Sequence, residues 1–238
     1  MVPIYRPSIL DNCLVFDLNM IYNNETLNVF SDASMRKNGC NKLGAYCYGS
    51  AAVNIDRIIE EDFHVVSKST TPCAELMGIR SSLFLALRHR HEYRVINIFS
   101  DSAYSIQSIR DYIYNWCWND NEQCFYYGKL RKKQRLIRNQ DLIYENYCLL
   151  NELRKTNIVN IFHQKAHVYT VDDIYDAVDT FRRINGFNGK ISFNLIRYIS
   201  FYNEYIDNKS RDIIRTIDLK YNYRDALKFK PTPESFID

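Results

Sequence analysis

Apolar and polar positions alternate from Leu27 onward in a way that predicts three strands in succession. They are an apolar run to Phe30, an aromatic run from Gly44 to Tyr48 and a third around Phe63 to Val66, with a turn at Asn38-Gly39. The succession reads as an antiparallel meander. At Thr70-Thr71-Pro72 a threonine cap followed by proline signals a helix start. That helix is expected to run to about His91, with Leu76, Ile79, Leu83, Ala86 and Leu87 on its apolar face and Glu75 beside that stripe in the first turn. A strand from Val95 to Phe99 follows, then a helix carrying Ile106, Ile109 and Ile113, and another from about Asp141 to Arg154. After a strand from Ile158 to Phe162 the pattern is helical from Val171 to Ile184, breaks at Asn185-Gly186 and Asn188-Gly189, and resumes from about Phe193 to Ile217. Residues 1–25 read as an N-terminal arm or an extra strand, and no repeat or low-complexity linker divides the rest. One domain with terminal extensions is expected.

Composition narrows the class. Hydrophobic residues make up 46% of the 238 and charged residues 25%, the balance of a globular chain able to bury its own core. No apolar run is long enough to span a bilayer, and the N-terminus lacks a basic region followed by an apolar stretch, so no membrane association and a cytoplasmic location are expected. The seven cysteines, an odd number without paired or zinc-ligand spacing, read as thiols of a reducing compartment. A net charge of +3 is too small to announce a polyanionic partner, but its distribution is uneven. Lys129, Arg131, Lys132, Lys133, Arg135 and Arg138 follow one another with no acid between them, preceded by Trp116, Trp118, Phe125, Tyr126 and Tyr127. Such a mixture suits a nucleic-acid backbone, and a solvated helix face would look the same.

The candidate chemistry begins with two similar stretches, Phe30-Ser31-Asp32-Ala33-Ser34 and Phe99-Ser100-Asp101-Ser102-Ala103, each closing a strand-like run on an aspartate. An acid at a strand end can hold charge near a ligand, and it can equally be a turn residue or a cap. Their order decides what they add up to: strand-Asp, two strands, helix-start Glu, strand-Asp, helices, strand, histidine turn. His64, His89, His91 and His163 read as ordinary surface or core histidines.

In that order the sequence resembles the ribonuclease H family, over roughly residues 26–168. Phe-Ser-Asp-Ala-Ser supplies Asp32, Cys73-Ala74-Glu75-Leu76-Met77 supplies Glu75, Phe-Ser-Asp-Ser-Ala-Tyr supplies Asp101, and Lys165-Ala166-His167 is similar to the family's Lys-Gly-His turn. The resemblance implies an α/β fold of the ribonuclease H type: a mixed five-stranded sheet, its first three strands antiparallel and the others parallel, flanked by helices with a helical C-terminal extension. For the last carboxylate, Asn203-Glu204-Tyr205-Ile206-Asp207-Asn208-Lys209-Ser210-Arg211 is similar to the family's Asn-Glu-x-x-Asp-x-x-x-Arg helix start, which favours Asp207 over Asp176. That choice implies a catalytic domain over 26–214 with a helical insertion at about 170–200, and a tail over 215–238.

What the resemblance implies chemically is a metal-dependent endonuclease that cleaves the RNA strand of an RNA/DNA hybrid, as a monomer, leaving 5′-phosphate and 3′-hydroxyl ends. Crowded carboxylates repel one another unless divalent cations neutralise them, and hard oxygen ligands suit two ions of Mg²⁺ or Mn²⁺. Asp32 would bridge the ions, Glu75 and Asp101 would serve the leaving-group side and Asp207 the nucleophile side, with His167 assisting proton transfer. Ser34, Thr71, Ser102 and Tyr104 would contact the substrate backbone, and Trp116 with Lys129, Arg131, Lys132 and Lys133 the DNA-strand phosphates. Other readings are a DNA nuclease or junction resolvase of related fold, which also uses four acids, and a nucleic-acid-binding module without catalysis.

Overall fold

The computed structural model describes residues 15–36, 44–119, 124–127 and 135–216. In chain order the strands and helices are β1 (Val15–Phe16), β2 (Thr26–Arg36), β3 (Gly44–Asn54), β4 (Arg57–Ser69), α1 (Thr71–Arg88), β5 (Val95–Ser100), α2 (Ala103–Gln107), β6 (Trp116–Asn119), β7 (Cys124–Tyr127), β8 (Arg135–Leu136), α3 (Gln140–Leu153), β9 (Ile158–His163), α4 (Val171–Asn185), β10 (Lys190–Ile191) and α5 (Phe193–Thr216). The central sheet has the order β4-β3-β2-β5-β9. β2, β3 and β4 pair antiparallel, and β5 and β9 join parallel, which is the mixed five-stranded arrangement expected.

Period-two alternation sends each central strand's side chains to two different cores. Val29, Ile98 and Ile161 pack with Leu76, Ile79, Leu83, Ile143 and Leu150 of α1 and α3. Phe30, Phe99 and Phe162 pack on the other face with Phe181, Leu195, Ile199, Tyr202 and Ile206 of α4 and α5. The three phenylalanines form a row, with ring centroids 5.0 and 5.3 Å apart between neighbours.

One rung below lies a buried row of amides. Asn160 Nδ2 donates to Asn97 Oδ1 at 2.9 Å, Asn97 Nδ2 to Asn28 Oδ1 at 3.0 Å, and Asn28 Nδ2 to the Ile21 carbonyl at 2.8 Å. Asn28 pairs in register with Asn97, and Asn97 with Asn160. A slip of one residue in any of these strands would bury an unpaired amide and turn a phenylalanine to the wrong face, so the row fixes the register.

Several expectations change. β2 does not stop at Asp32: its parallel pairing to β5 ends at Ser31 and Ser100, but antiparallel pairing to β3 continues from Asp32–Gly49 to Arg36–Ala45. The apolar run marked only the part of the strand covered on both sides. α1 ends at Arg88, Thr70 caps it without a side-chain hydrogen bond, and Glu75 lies in the second turn, not the first. After α2 the helix passes through a π-helical segment, Ser108–Tyr112, and a 3₁₀ turn, Ile113–Asn115, which keep Ile106, Ile109 and Ile113 buried. The extra N-terminal strand is the two-residue β1, paired parallel with β10. Where a basic segment follows Trp116, β6, β7 and β8 form a small antiparallel sheet. Lys129, Arg131, Lys132 and Lys133 lie outside the described residues, as do the Asn38-Gly39 turn and the tail beyond Thr216.

Asn97→Ala should remove the bonds that the Asn97 amide makes with Asn160 and with the Asn28 carbonyl oxygen. A loss of about 2–4 kcal/mol is expected, read as a lower urea midpoint at unchanged slope.

Candidate active site

Parallel strands gather ligands at their carboxyl ends, and the acids meet at that end of β2 and β5. Asp32 follows the last β2 residue paired to β5 and is 6% exposed; its carboxylate accepts the Ala33 N–H at 2.6 Å. Asp101 follows the end of β5, where Ser102 caps α2. Glu75 arrives from the opposite side. It shares a face of α1 with Gly78, and that face lies on β2: a Cβ at Gly78 would stand 3.5 Å from the Asp32 carbonyl. One carboxylate oxygen from each of Asp32, Glu75 and Asp101 lies within 4.8 Å of the other two.

Burial and mutual repulsion dominate the electrostatics. Burial, then the charges of Asp101 and Asp207, hold the Asp32 carboxyl well above the usual range. Glu75 is raised in the same way by burial and then by Asp32, Asp101 and Asp207, and its Oε2 is buried with no hydrogen-bond partner. Asp101 is raised by burial, against which the Asn203 amide and the His167 charge act. A donor set of hard oxygens whose charges repel one another fits a divalent cation.

The two alternatives for a further acid separate clearly in space. Asp207, 8% exposed, points from α5 toward the cluster, whose three members all feel its charge. It accepts the Ser34 hydroxyl at 2.6 Å and is bonded by the Arg211 guanidinium. Its helix begins at Phe193, so the Asn-Glu-x-x-Asp stretch lies in mid-helix, not at a helix start. The Asp176 side chain is 65% exposed and paired with Lys165 at 2.5 Å. Asp173 caps α4 through Thr170.

His167 is exposed beside the cluster with φ at 55°, in the left-handed region, and its Nδ1 lies 3.1 Å from the Tyr169 hydroxyl. Of the other residues selected from sequence, Ser34 is turned to Asp207, and the Thr71 hydroxyl lies 3.0 Å from that of Tyr46. Ser102 accepts the Ser105 N–H, Tyr104 donates to the Arg138 carbonyl, and Trp116 packs on Phe125. Sequence reasoning passed over His163. Its Nε2 lies 2.9 Å from the Asp101 carbonyl, which can only accept, so that nitrogen carries the hydrogen. Burial holds His163 down at about 4, leaving it neutral at pH 7. Asn185 grips its backbone from both sides, accepting the N–H and donating to the carbonyl. Only the pairing of β9 with β5 reveals this role.

A family model described as RNase H matches residues 24–178, a span that holds Asp32, Glu75, Asp101, His167 and Asp176 and ends before Asp207. Among solved structures, the protease-reverse transcriptase of prototype foamy virus is 13% identical with a TM-score of 0.50, over 83% of this chain and 22% of that one, and shares the fold. The N-terminal RNase H domain of a Mycobacterium tuberculosis protein is 12% identical, covering 80% of this chain and 96% of that one, with a TM-score of 0.41. RNase H1 from Halobacterium salinarum is 14% identical, covering 68% and 98%, with a TM-score of 0.39. A search of the curated proteins found no match.

The raised carboxyls have a thermodynamic consequence. Folded pKa values above those of the unfolded chain mean that the folded chain holds more protons, so their contribution to stability falls as pH rises from about 4 through the raised values. At neutral pH in chelator, Asp101→Asn should therefore melt above the wild type, and the gap should close toward pH 4. Mg²⁺ should raise the melting temperature of the wild type and have little effect on the variant.

Proposed function

Because this chain belongs to the ribonuclease H family, we propose that it is a divalent-cation-dependent endonuclease cleaving the RNA strand of RNA/DNA hybrids to 5′-phosphate and 3′-hydroxyl ends. The observation that carries the reading is the meeting of buried Asp32 with half-buried Glu75 and Asp101 within 4.8 Å, mutually repelling and with the Glu75 Oε2 unpartnered. Together with Asp207 they would hold two ions of Mg²⁺ or Mn²⁺, which supply Lewis acidity and neutralise phosphate charge.

The chain's own residues orient and move protons around that centre. Asp32, whose charge acts on Glu75 and which feels Asp101 and Asp207, would be the shared member. Ser34 and Arg211 hold the Asp207 carboxylate in a fixed direction, so the Ser34 hydroxyl serves Asp207 before any substrate. His163 holds the Asp101 backbone from below without bringing charge to it. His167 has Nδ1 engaged by Tyr169, which leaves Nε2 as the atom that takes or gives a proton at the exposed edge. Thr71, Ser102 and Tyr104 supply hydroxyls for the sugar and phosphate of the strand being cut, and the ribose 2′-hydroxyl gives such donors something to distinguish. Trp116 and the basic segment from Lys129 to Arg138 take the partner strand, adding affinity and salt dependence and no chemistry.

Asp101→Asn should abolish hybrid cleavage while hybrid binding, read by fluorescence anisotropy, stays close to the wild type; retained cleavage refutes the site. Asp207→Asn should cost on the order of 100-fold or more in rate and Asp176→Asn only a few-fold, since a direct ligand outweighs an exposed ion pair. The reverse order would move the final acid to α4.

A further inference from the structure

The register of the parallel strands brings a third stretch into line with the two that end on aspartate. Asn28-Val29-Phe30-Ser31, Asn97-Ile98-Phe99-Ser100 and Asn160-Ile161-Phe162-His163 pair residue by residue across β2, β5 and β9. The next position in each strand is Asp32, Asp101 and Gln164. The alignment holds one step past the last paired residues, because the Gln164 N–H donates to the Ser100 carbonyl at 3.0 Å. Gln164 therefore stands beside Asp101, one strand spacing away, on the side of it opposite to Asp32.

Gln164 is 3% exposed, and both its amide nitrogen and its amide oxygen are buried with no hydrogen-bond partner. A buried amide with neither end satisfied is costly, and a side chain that only filled space here would be better apolar. Two further unpartnered oxygens belong to residues around the same acids: Glu75 Oε2 from α1, and Oδ1 of Asn203, whose amide bears on Asp101 from α5. Glu75 is a member of the acid cluster, Asn203 acts on Asp101 and Gln164 stands next to Asp101, so three of the groups left open belong to this neighbourhood.

We propose that Gln164 is part of the cation site, its side-chain amide hydrogen-bonding to the hydration shell of a divalent cation held by Asp32, Glu75 and Asp101. The inference rests on the cation site of the preceding reading and adds to it a neutral member contributed by β9. A third aspartate in this row would deepen the repulsion that already raises its neighbours. An amide offers an oxygen and two hydrogens without charge, and Mg²⁺, which keeps much of its water, is well served by such outer partners.

The test is Mn²⁺ binding to the full-length protein, followed by loss of the free-ion electron paramagnetic resonance signal and set beside melting in chelator. Gln164→Met, which keeps the length and removes both polar ends, should melt no lower than the wild type without cation and bind Mn²⁺ about 10-fold more weakly. Gln164→Glu should melt lower in chelator and bind Mn²⁺ more tightly than the wild type. Wild-type affinity in the Met variant overturns the inference, as does unchanged affinity in the Glu variant should the Met variant not fold. Asp101→Asn is the control: if it binds Mn²⁺ as the wild type does, or if the wild type binds none, the cation site fails and the role of Gln164 with it. If Asp101→Asn weakens binding and Gln164→Met does not, the cation site stands and only the inference falls.

Discussion

The register of three parallel strands is the constraint on which the site depends. Asn28, Asn97 and Asn160 make one buried row, and Phe30, Phe99 and Phe162 the next on the same face. Buried polar groups tolerate no slip because an amide moved by one residue loses partners that water cannot replace. With the rows fixed, Asp32 and Asp101 arrive at one level by simple counting from the asparagines. Two strands that carry the same short phrase thus deliver two carboxylates to the same end of the sheet, where α1 adds Glu75 and α5 adds Asp207.

That assembly works against stability and toward binding. Asp32, Glu75 and Asp101 are all raised chiefly by burial, and each is raised further by at least one of the other acids. The surroundings offset the strain only in part: the Ala33 N–H for Asp32, Ser34 and Arg211 for Asp207, the Asn203 amide for Asp101. Among the described residues no positive charge acts on Glu75, whose inner oxygen has no partner. Functional sites commonly carry such unfavourable groups, held in place by a rigid frame. Here the frame reaches far: Arg110 donates to the Ile184 carbonyl and to Asn185, Asn185 grips His163, and His163 holds the Asp101 carbonyl. The helix α4 is thereby tied to the backbone of Asp101 through Arg110, Asn185 and His163.

Much of this was legible in the sequence, for identifiable reasons. Val95 to Phe99 and Ile158 to Phe162 are largely buried on both faces, so their apolar runs, each broken by a single asparagine, announce strands directly. The continuation of β2 past Asp32 was not legible, because Asp32 and Ala33 are residue types depleted in strands and only the pairing with β3 defines the strand there. The spacing of Ile106, Ile109 and Ile113 indicated a buried helical face but could not reveal a π-helical turn between them. Asp32, Glu75 and Asp101 were recognisable from local phrases in the right order. Gln164 and His163 were not, since neither sits in a telling phrase until β9 is laid against β5. The spacing around Asp207 pointed to an acid whose charge acts on the cluster, while its mid-helix position follows from packing of the α5 apolar stripe against the phenylalanine row.

The proposal that this acidic centre cuts RNA paired to DNA with a divalent cation is open to direct measurement. The most direct measurement incubates the wild-type protein with end-labelled RNA/DNA, RNA/RNA, DNA/DNA and a four-way DNA junction, each with Mg²⁺ and with chelator. Cleavage of the RNA strand of the hybrid alone is expected, only with Mg²⁺, leaving 5′-phosphate ends. Cleavage of the junction and not the hybrid, or hybrid cleavage that persists in chelator, would contradict it.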